Sequence, residues 1–452
     1  RQRFALATFY YATSSTNWNI STHWLSYDVH ECDWWFKGYF YIPGKPQTAS
    51  TPCQSLSPGG GGATAVTTND NNKSTANSTT LFNEEDDNWK YKLLWIPFNN
   101  LTGPIPEELY LLTSLESIDL SSGQLRSNWL TGTVSSSVAN LTKLQHLSLY
   151  GNQLTGTIPS QLGLMKDSLD ILYLNKNDLH GTIPSEIFSL HLTQLTVNEN
   201  TGLYGTVPTQ LGLLSNLTIL GMGKTSLSGP IPSEIGLLTD LAFAYTDMNK
   251  WTGTLPTEVG RMTGLSWLFF FGNYLTGPIP SEIGQLADKL FEVKLGDNFF
   301  SSNLPTELGL LTSVSVLDLG GNQLTGTICS EVAQLSGMEQ LLLDGNQLSG
   351  TVPLFLSEMM ELKRLILHDD QFVGQIDESL ALLVGNDVNL YEISLEENAL
   401  DGVVPEALCE LGMNMSFDCG ELLCGCDCDC NGAQLCWEDY LERSITVSTL
   451  TS

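Results

Sequence analysis

Aliphatic residues alternate with polar ones over six positions, break at an asparagine, resume around a glycine, and then the phrase repeats. The stretch LQHLSLYGNQLTGTIPSQLG, residues 144–163, shows the unit, and copies follow at steps of mostly 24 or 25 residues. Aligned on the asparagine, the ladder runs through Asn99, Asn152, Asn177, Asn200, Asn249, Asn273, Asn298, Asn322, Asn346 and Asn398, with Gly123, Thr225 and Asp370 on three further rungs. That makes 13 units between about Tyr91 and Pro405, sharing the pattern L-x-x-L-x-L-x-x-N-x-L-x-G-x-I-P. A period of two predicts a short strand, with Leu147 and Leu149 turned inward and His146 and Ser148 outward. The asparagine turns the chain, and its amide can satisfy backbone groups that no strand reaches. Gly156 permits the next bend, and Ile-Pro suits a second short extended segment that keeps proline out of a central ladder. SQLGLM then returns as a helical turn or 3-10 piece. One unit cannot bury its own apolar face, whereas stacked units continue a common core. The expected fold is therefore an α/β solenoid with one long parallel sheet.

The phrase LTGPIPEELYLLTSLESIDLS (residues 101–121) and its copies resemble the plant-type extracellular leucine-rich repeats of receptor-kinase ectodomains and of secreted inhibitors of wall-degrading enzymes such as polygalacturonase. That resemblance implies a right-handed superhelix of about 13 repeats whose strands line a concave face, closed by disulfide-bonded caps. RFALATFYYATSSTNWNISTHWLS followed by ECDWW resembles the family's N-terminal cap, with an amphipathic helix, tryptophans and a Cys32–Cys53 bridge. The segment between those cysteines is longer than is usual in the family. The wording of both caps is most similar to secreted or cell-surface proteins of diatoms and related algae. The implied organisation is an N-terminal cap at 1–53, a Gly/Ser/Thr/Asn-rich loop at 54–90, repeats over 91–405, a Cys-rich cap at 406–436 and a tail at 437–452. RSNWL (126–130) adds five residues after the second rung, because both Gly123 and Asn128 keep a 24-residue step to their outer neighbours. VGND (384–387) adds four before the last repeat.

The period assigns the third, fifth and seventh residues of each unit to the open face. This brings Phe243, Tyr245 and Asp247 beside Trp267, Phe269 and Phe271, an aromatic patch of the kind that marks a binding site. Tyr150, Tyr173 and Trp95 extend the aromatic trend toward the N-terminal end. Further on, Asp297, Asp318, Asp344, Asp369, Glu396 and Glu397 form an expected acidic column. A solvated acidic face, bound Ca2+ or a basic partner would each accommodate such carboxylates.

Composition narrows the classes of function. Fifty acidic residues against 19 basic ones give a formal charge of −31, which disfavours nucleic acid and anionic lipid. No apolar run is long enough to span a membrane, although a signal peptide ahead of Arg1 or an anchor after Ser452 would lie outside this sequence. Cysteines cluster at Cys32 and Cys53 and at Cys409, Cys419, Cys424, Cys426, Cys428, Cys430 and Cys436, with Cys329 alone between. Sequons for N-linked glycans occur at Asn19, Asn72, Asn77, Asn100, Asn140, Asn216 and Asn414. Together they point to an extracellular, secreted or cell-surface (cell-wall) location. CGCDCDC reads either as a disulfide knot or as a soft-metal site, and the knot suits a secreted chain. GMGKTS (221–226) has Thr218 where a phosphate loop requires glycine and lies on the repeat's own register. No histidine stands in a recognisable catalytic spacing. The expected function is non-catalytic recognition of a protein, peptide or glycan on the concave face, with no cofactor beyond glycans and that possible Ca2+. The alternative is a structural extracellular protein whose copies assemble into a homo-oligomer, sheath, wall layer or filament.

Overall fold

A computed structural model describes residues 12–13, 92–123, 127–384, 390–405, 408, 414–417 and 422–424. The expected N-terminal cap beyond Ala12 and Thr13, the 54–90 loop and the tail lie outside them. So do Asn19, Asn72, Asn77 and the side chains of Asn414 and all nine clustered cysteines. The VGND insertion falls outside as well, except for the backbone of Val384. The chain divides into two compact units, residues 1–154 and 155–452.

In the first unit, strands Leu93–Trp95, Ser117–Asp119 and His146–Ser148 pair in parallel and in sequence order. Behind them, Thr102–Pro104 pairs with Trp129–Thr131. The second unit repeats this plan at length. Eleven parallel strands, from Ile171–Tyr173 to Asn414–Ser416, form one sheet in sequence order, one from each remaining repeat and the last from the expected C-terminal cap. A second parallel sheet, also of eleven strands, runs from His180–Gly181 to Leu422–Cys424. The connecting pieces of the repeats are 3-10 helices, not α-helices; Ser160–Met165 is one. Proline precedes most of them in extended backbone, as Pro305 does, and Cys329 takes the same conformation (φ −71, ψ 145). That explains why cysteine is tolerated in a proline's place.

The core lies between the two sheets of each unit. In the second unit Leu268, Phe300, Leu324 and Phe372 are fully buried. The asparagine ladder ties it together as anticipated. Asn322 Oδ1 accepts from Phe300 N at 2.9 Å, while its Nδ2 donates to the carbonyls of Leu295, Leu319 and Gly320 at 3.0–3.2 Å. Such bonds satisfy carbonyls at the bend that the strands leave open.

One rung is corrected. Asn128, fully buried, occupies the second ladder site, accepting from Asn99 N and Leu101 N and donating to the carbonyls of Ile96, Leu120 and Ser121. Gly123, lacking an amide side chain, stands outside the ladder, so the five extra residues precede the asparagine.

Candidate functional site

The open face of the long sheet in the second unit carries three columns of side chains. Phe243 is in register with Trp267, and Tyr245 with Phe269. The hydrogen bond from Met248 N to Phe271 O places Asp247 beside Phe271. All five rings are half-buried. Alanine, leucine and phenylalanine at 244, 268 and 270 point the other way into the core. The alternation that buries Leu268 therefore holds Trp267 and Phe269 at the surface.

The rings form a herringbone. Phe243 meets Trp267 edge-on at 5.1 Å, Tyr245 meets Trp267 at 5.9 Å, and Tyr245 meets Phe269 at 5.6 Å. Trp267 and Phe269 lie nearly parallel at 5.9 Å, and Phe271 joins Phe269 edge-on at 6.4 Å. Edge-to-face contacts of this kind favour a fixed arrangement of the rings over a collapsed one. Lys294, one strand further on, places Nζ 4.7 Å from the Phe269 centroid and 3.1 Å from Glu292 Oε2. A cation thus already rests on one ring face. Burial, with Glu292 nearby, pushes the Tyr245 hydroxyl pKa up.

Asp247 shares the Phe271 column but is only 8% exposed. Its carboxylate lies over Gly223, where a β-carbon would meet Oδ1 at 2.5 Å. It supplies charge beneath the rim of the patch rather than an exposed contact, and burial raises its pKa. The aromatic trend toward the N-terminal end is broken within the second unit. Thr196 and Gly221 separate Tyr173 from Tyr245 along their column, and the Tyr173 hydroxyl donates to Gln194 Oε1.

The acidic residues do not form one column. Asp318 continues the Phe269–Lys294 column and is followed by Leu342, Ile366 and Ser394. Asp344, His368 and Glu396 occupy the Phe271 column. Asp297, Asp369 and Glu397 lie on the left-handed turn just before the ladder position, with φ of 51, 53 and 55. That turn lifts them off the strand, so the expected column is a diagonal spread over two columns and a turn. Its nearest members still sense each other. Burial pushes Asp318 up to about 6, and Asp344 and Asp297 add to the rise. Among the described residues, no group of three or more His, Cys, Asp or Glu side chains is placed to hold a metal ion.

One constellation crosses repeats in a way the linear spacing hid. Ser394 Oγ lies 2.9 Å from His368 Nδ1, and His368 Nε2 lies 3.8 Å from Asp344 Oδ2. Ser394 is only 4% exposed and its hydroxyl donates to Glu396 Oε2 at 2.8 Å. With that proton committed, the histidine donates to Ser394 rather than accepting from it. This polarity orients polar groups and does not activate a nucleophile. The Cys329 thiol is free, and burial raises its pKa. Of the sequons, Asn140 and Asn216 are exposed and Asn100 half-buried.

The family model described as Leucine Rich Repeat matches residues 143–165 and 313–335. Receptor protein kinase WSS1 of Oryza sativa subsp. japonica is 39% identical over 69 residues, 15% of this chain and 7% of the kinase. Among solved structures, the plant peptide hormone receptor RGFR1 in complex with RGF2 is 32% identical with a TM-score of 0.66, covering 73% of this chain and 56% of the receptor. The ectodomain of the Arabidopsis receptor kinase HAESA, solved with an N-terminally extended IDA peptide hormone, is 28% identical with a TM-score of 0.65, covering 72% and 54%. The chain spans little more than half the length of these two ectodomains. The asparagine ladder and the parallel sheets make the chain a leucine-rich-repeat solenoid, and its repeats are similar to those of plant receptor ectodomains.

Proposed function

We propose that the chain is an extracellular, non-catalytic recognition module that binds a peptide or protein segment on the open face of its long sheet. The observation that carries this reading is the herringbone of Phe243, Tyr245, Trp267, Phe269 and Phe271. Five half-exposed rings on two adjacent strands form a patch that a monomer rarely leaves bare. Buried aromatic anchors provide most of the energy in protein interfaces, so an apolar ligand residue seated there would dominate affinity. The carboxylates beyond Lys294 select a ligand segment of positive charge, acting more on specificity and association rate than on total affinity. RGFR1 and HAESA, with peptide hormones bound, support the reading by analogy.

A random peptide library displayed on phage and selected against the full chain tests it. Enriched peptides should carry an aromatic or aliphatic residue with lysine or arginine nearby. Phe269→Ser combined with Phe271→Ser should abolish their binding while circular dichroism still reports the native fold, since neither ring lies in the core. Enriched peptides that bind this double variant equally well would refute the assignment of the site. Light scattering separates the structural reading, because a recognition module stays monomeric at micromolar concentration whereas a wall or filament subunit assembles.

A further inference from the structure

The second sheet of the second unit presents a surface of different character. Tyr274 and Phe299, on neighbouring strands, are 50% and 42% exposed. Their rings stack with centroids 6.1 Å apart and planes within 12°. Neither ring serves the core, because Leu275 and Phe300 beside them fill it completely. The next three strands each begin with an exposed glutamine: Gln323, Gln347 and Gln371. These stand in register with Ser301, Thr325 and Ser349. Thr325 Oγ1 donates to Asn303 Oδ1 at 3.2 Å and Ser349 Oγ to Gly326 O at 3.3 Å, so each hydroxyl keeps lone pairs to offer outward. The five strands from Tyr274–Gly277 to Gln371–Gln375 contain no Asp, Glu, Lys or Arg. In a chain of net charge −31, a five-strand face without charge is a selective feature.

We propose that this face binds an uncharged polysaccharide chain, with Tyr274 and Phe299 as the stacking platform and Gln323, Gln347 and Gln371 as the hydrogen-bonding row beside it. A sugar ring has an apolar C–H face and a rim of hydroxyls. Flat aromatic rings match the first, and amides, which both donate and accept, match the second. Because each strand is offset by two residues from the next, successive glutamines are diagonal neighbours about 7–8 Å apart, a spacing that an extended glycan bridges from one sugar to the next. The absence of charge decides between partners. A protein interface needs an apolar core larger than two rings. Nucleic acid and anionic lipid need cations that this face lacks. A polyuronide would bring carboxylates to a strongly acidic protein, with no counter-charge to meet them.

Affinity electrophoresis of the full chain in native gels tests the proposal. Soluble mixed-linkage β-glucan, xyloglucan and galactomannan serve as neutral probes, and polygalacturonate as the charged one. At least one neutral polymer should retard the protein, and polygalacturonate should not. Tyr274→Ala with Phe299→Ala should weaken retardation by roughly tenfold without shifting the melting temperature. Phe269→Ser with Phe271→Ser, on the other sheet, should leave retardation intact. The proposal is overturned if no neutral polymer retards the protein, if the Tyr274/Phe299 variant is retarded as before, if polygalacturonate acts equally, or if only the Phe269/Phe271 variant loses retardation.

Discussion

Asp370 stands where the repeats on either side place a ladder asparagine. Asn346 and Asn398 each donate two amide protons among three carbonyls. Asp370 Oδ1 keeps the acceptor half of that role, taking Leu348 N–H at 2.7 Å, but Oδ2 is buried without a partner. At the neighbouring rungs the corresponding side-chain nitrogen donates to carbonyls, a role that a carboxyl can take over only when protonated. Burial, aided by Asp344 and Asp369, accordingly pushes its pKa up to about 8. A folded pKa above the unfolded value near 4 means that the native state holds the extra proton. The contribution to stability is complete below about pH 4 and is lost as pH rises through about 8. Asp370→Asn restores the donor, so it should raise stability at pH 9 by roughly 1–3 kcal/mol and change little at pH 4. Urea titrations of both proteins at the two pH values check this, and an equal effect at both would remove proton binding from the explanation. Asp318, raised to about 6, has the same sign and should leave a residual slope in the variant. The ladder itself was legible from the period. Its second rung was not, because the five extra residues let Gly123 and Asn128 both fit the spacing, and only burial of an amide separates them.

At the scale of the strand and its turns, the repeat places a positive-φ glycine in the second extended segment, as at Gly277 (φ 77) and Gly326 (φ 81). Ser302 fills that position between them at φ 77. A side chain in the left-handed region costs on the order of 1–2 kcal/mol, against the smaller entropy that glycine adds to the unfolded chain. Ser302→Gly should therefore stabilise the second unit by about 1 kcal/mol. Chemical denaturation measures it, and a neutral or destabilising result would mean that the Ser302 side chain is held by contacts that offset the strain. Alternation alone exposed the aromatic patch of the long sheet, since inward Leu268 dictates outward Trp267 and Phe269. It did not expose the stack of Tyr274 on Phe299. There the strands pair with an offset, Thr276 facing Phe299, and a reading of one repeat at a time cannot supply that register. The acidic column failed for a related reason, because Asp297 and Asp369 belong to a turn and not to the strand.

For the whole molecule, charge is the dominant long-range effect. A net −31 repels itself, and the repulsion acts against the compact state more than against the extended chain. Few cations relieve it locally. Lys294 is engaged by Glu292, Lys363 by Glu339, and Arg364 by Glu392. Screening must then come from solution, and the Debye length falls from about 30 Å at 0.01 M to about 8 Å at 0.15 M salt. The melting temperature should rise over that range of sodium chloride. Exposed ion pairs would weaken over the same range, but they contribute little and their loss is the smaller effect. Calcium chloride at matched ionic strength distinguishes a diffuse ion atmosphere from a bound ion. Because Asp297, Asp318 and Asp344 are spread across two columns and a turn, calcium should follow the sodium curve with no saturable step. A plateau at micromolar calcium would instead mean that carboxylates converge on an ion when one is supplied. In that case Asp318→Asn should remove the plateau and leave the sodium response unchanged.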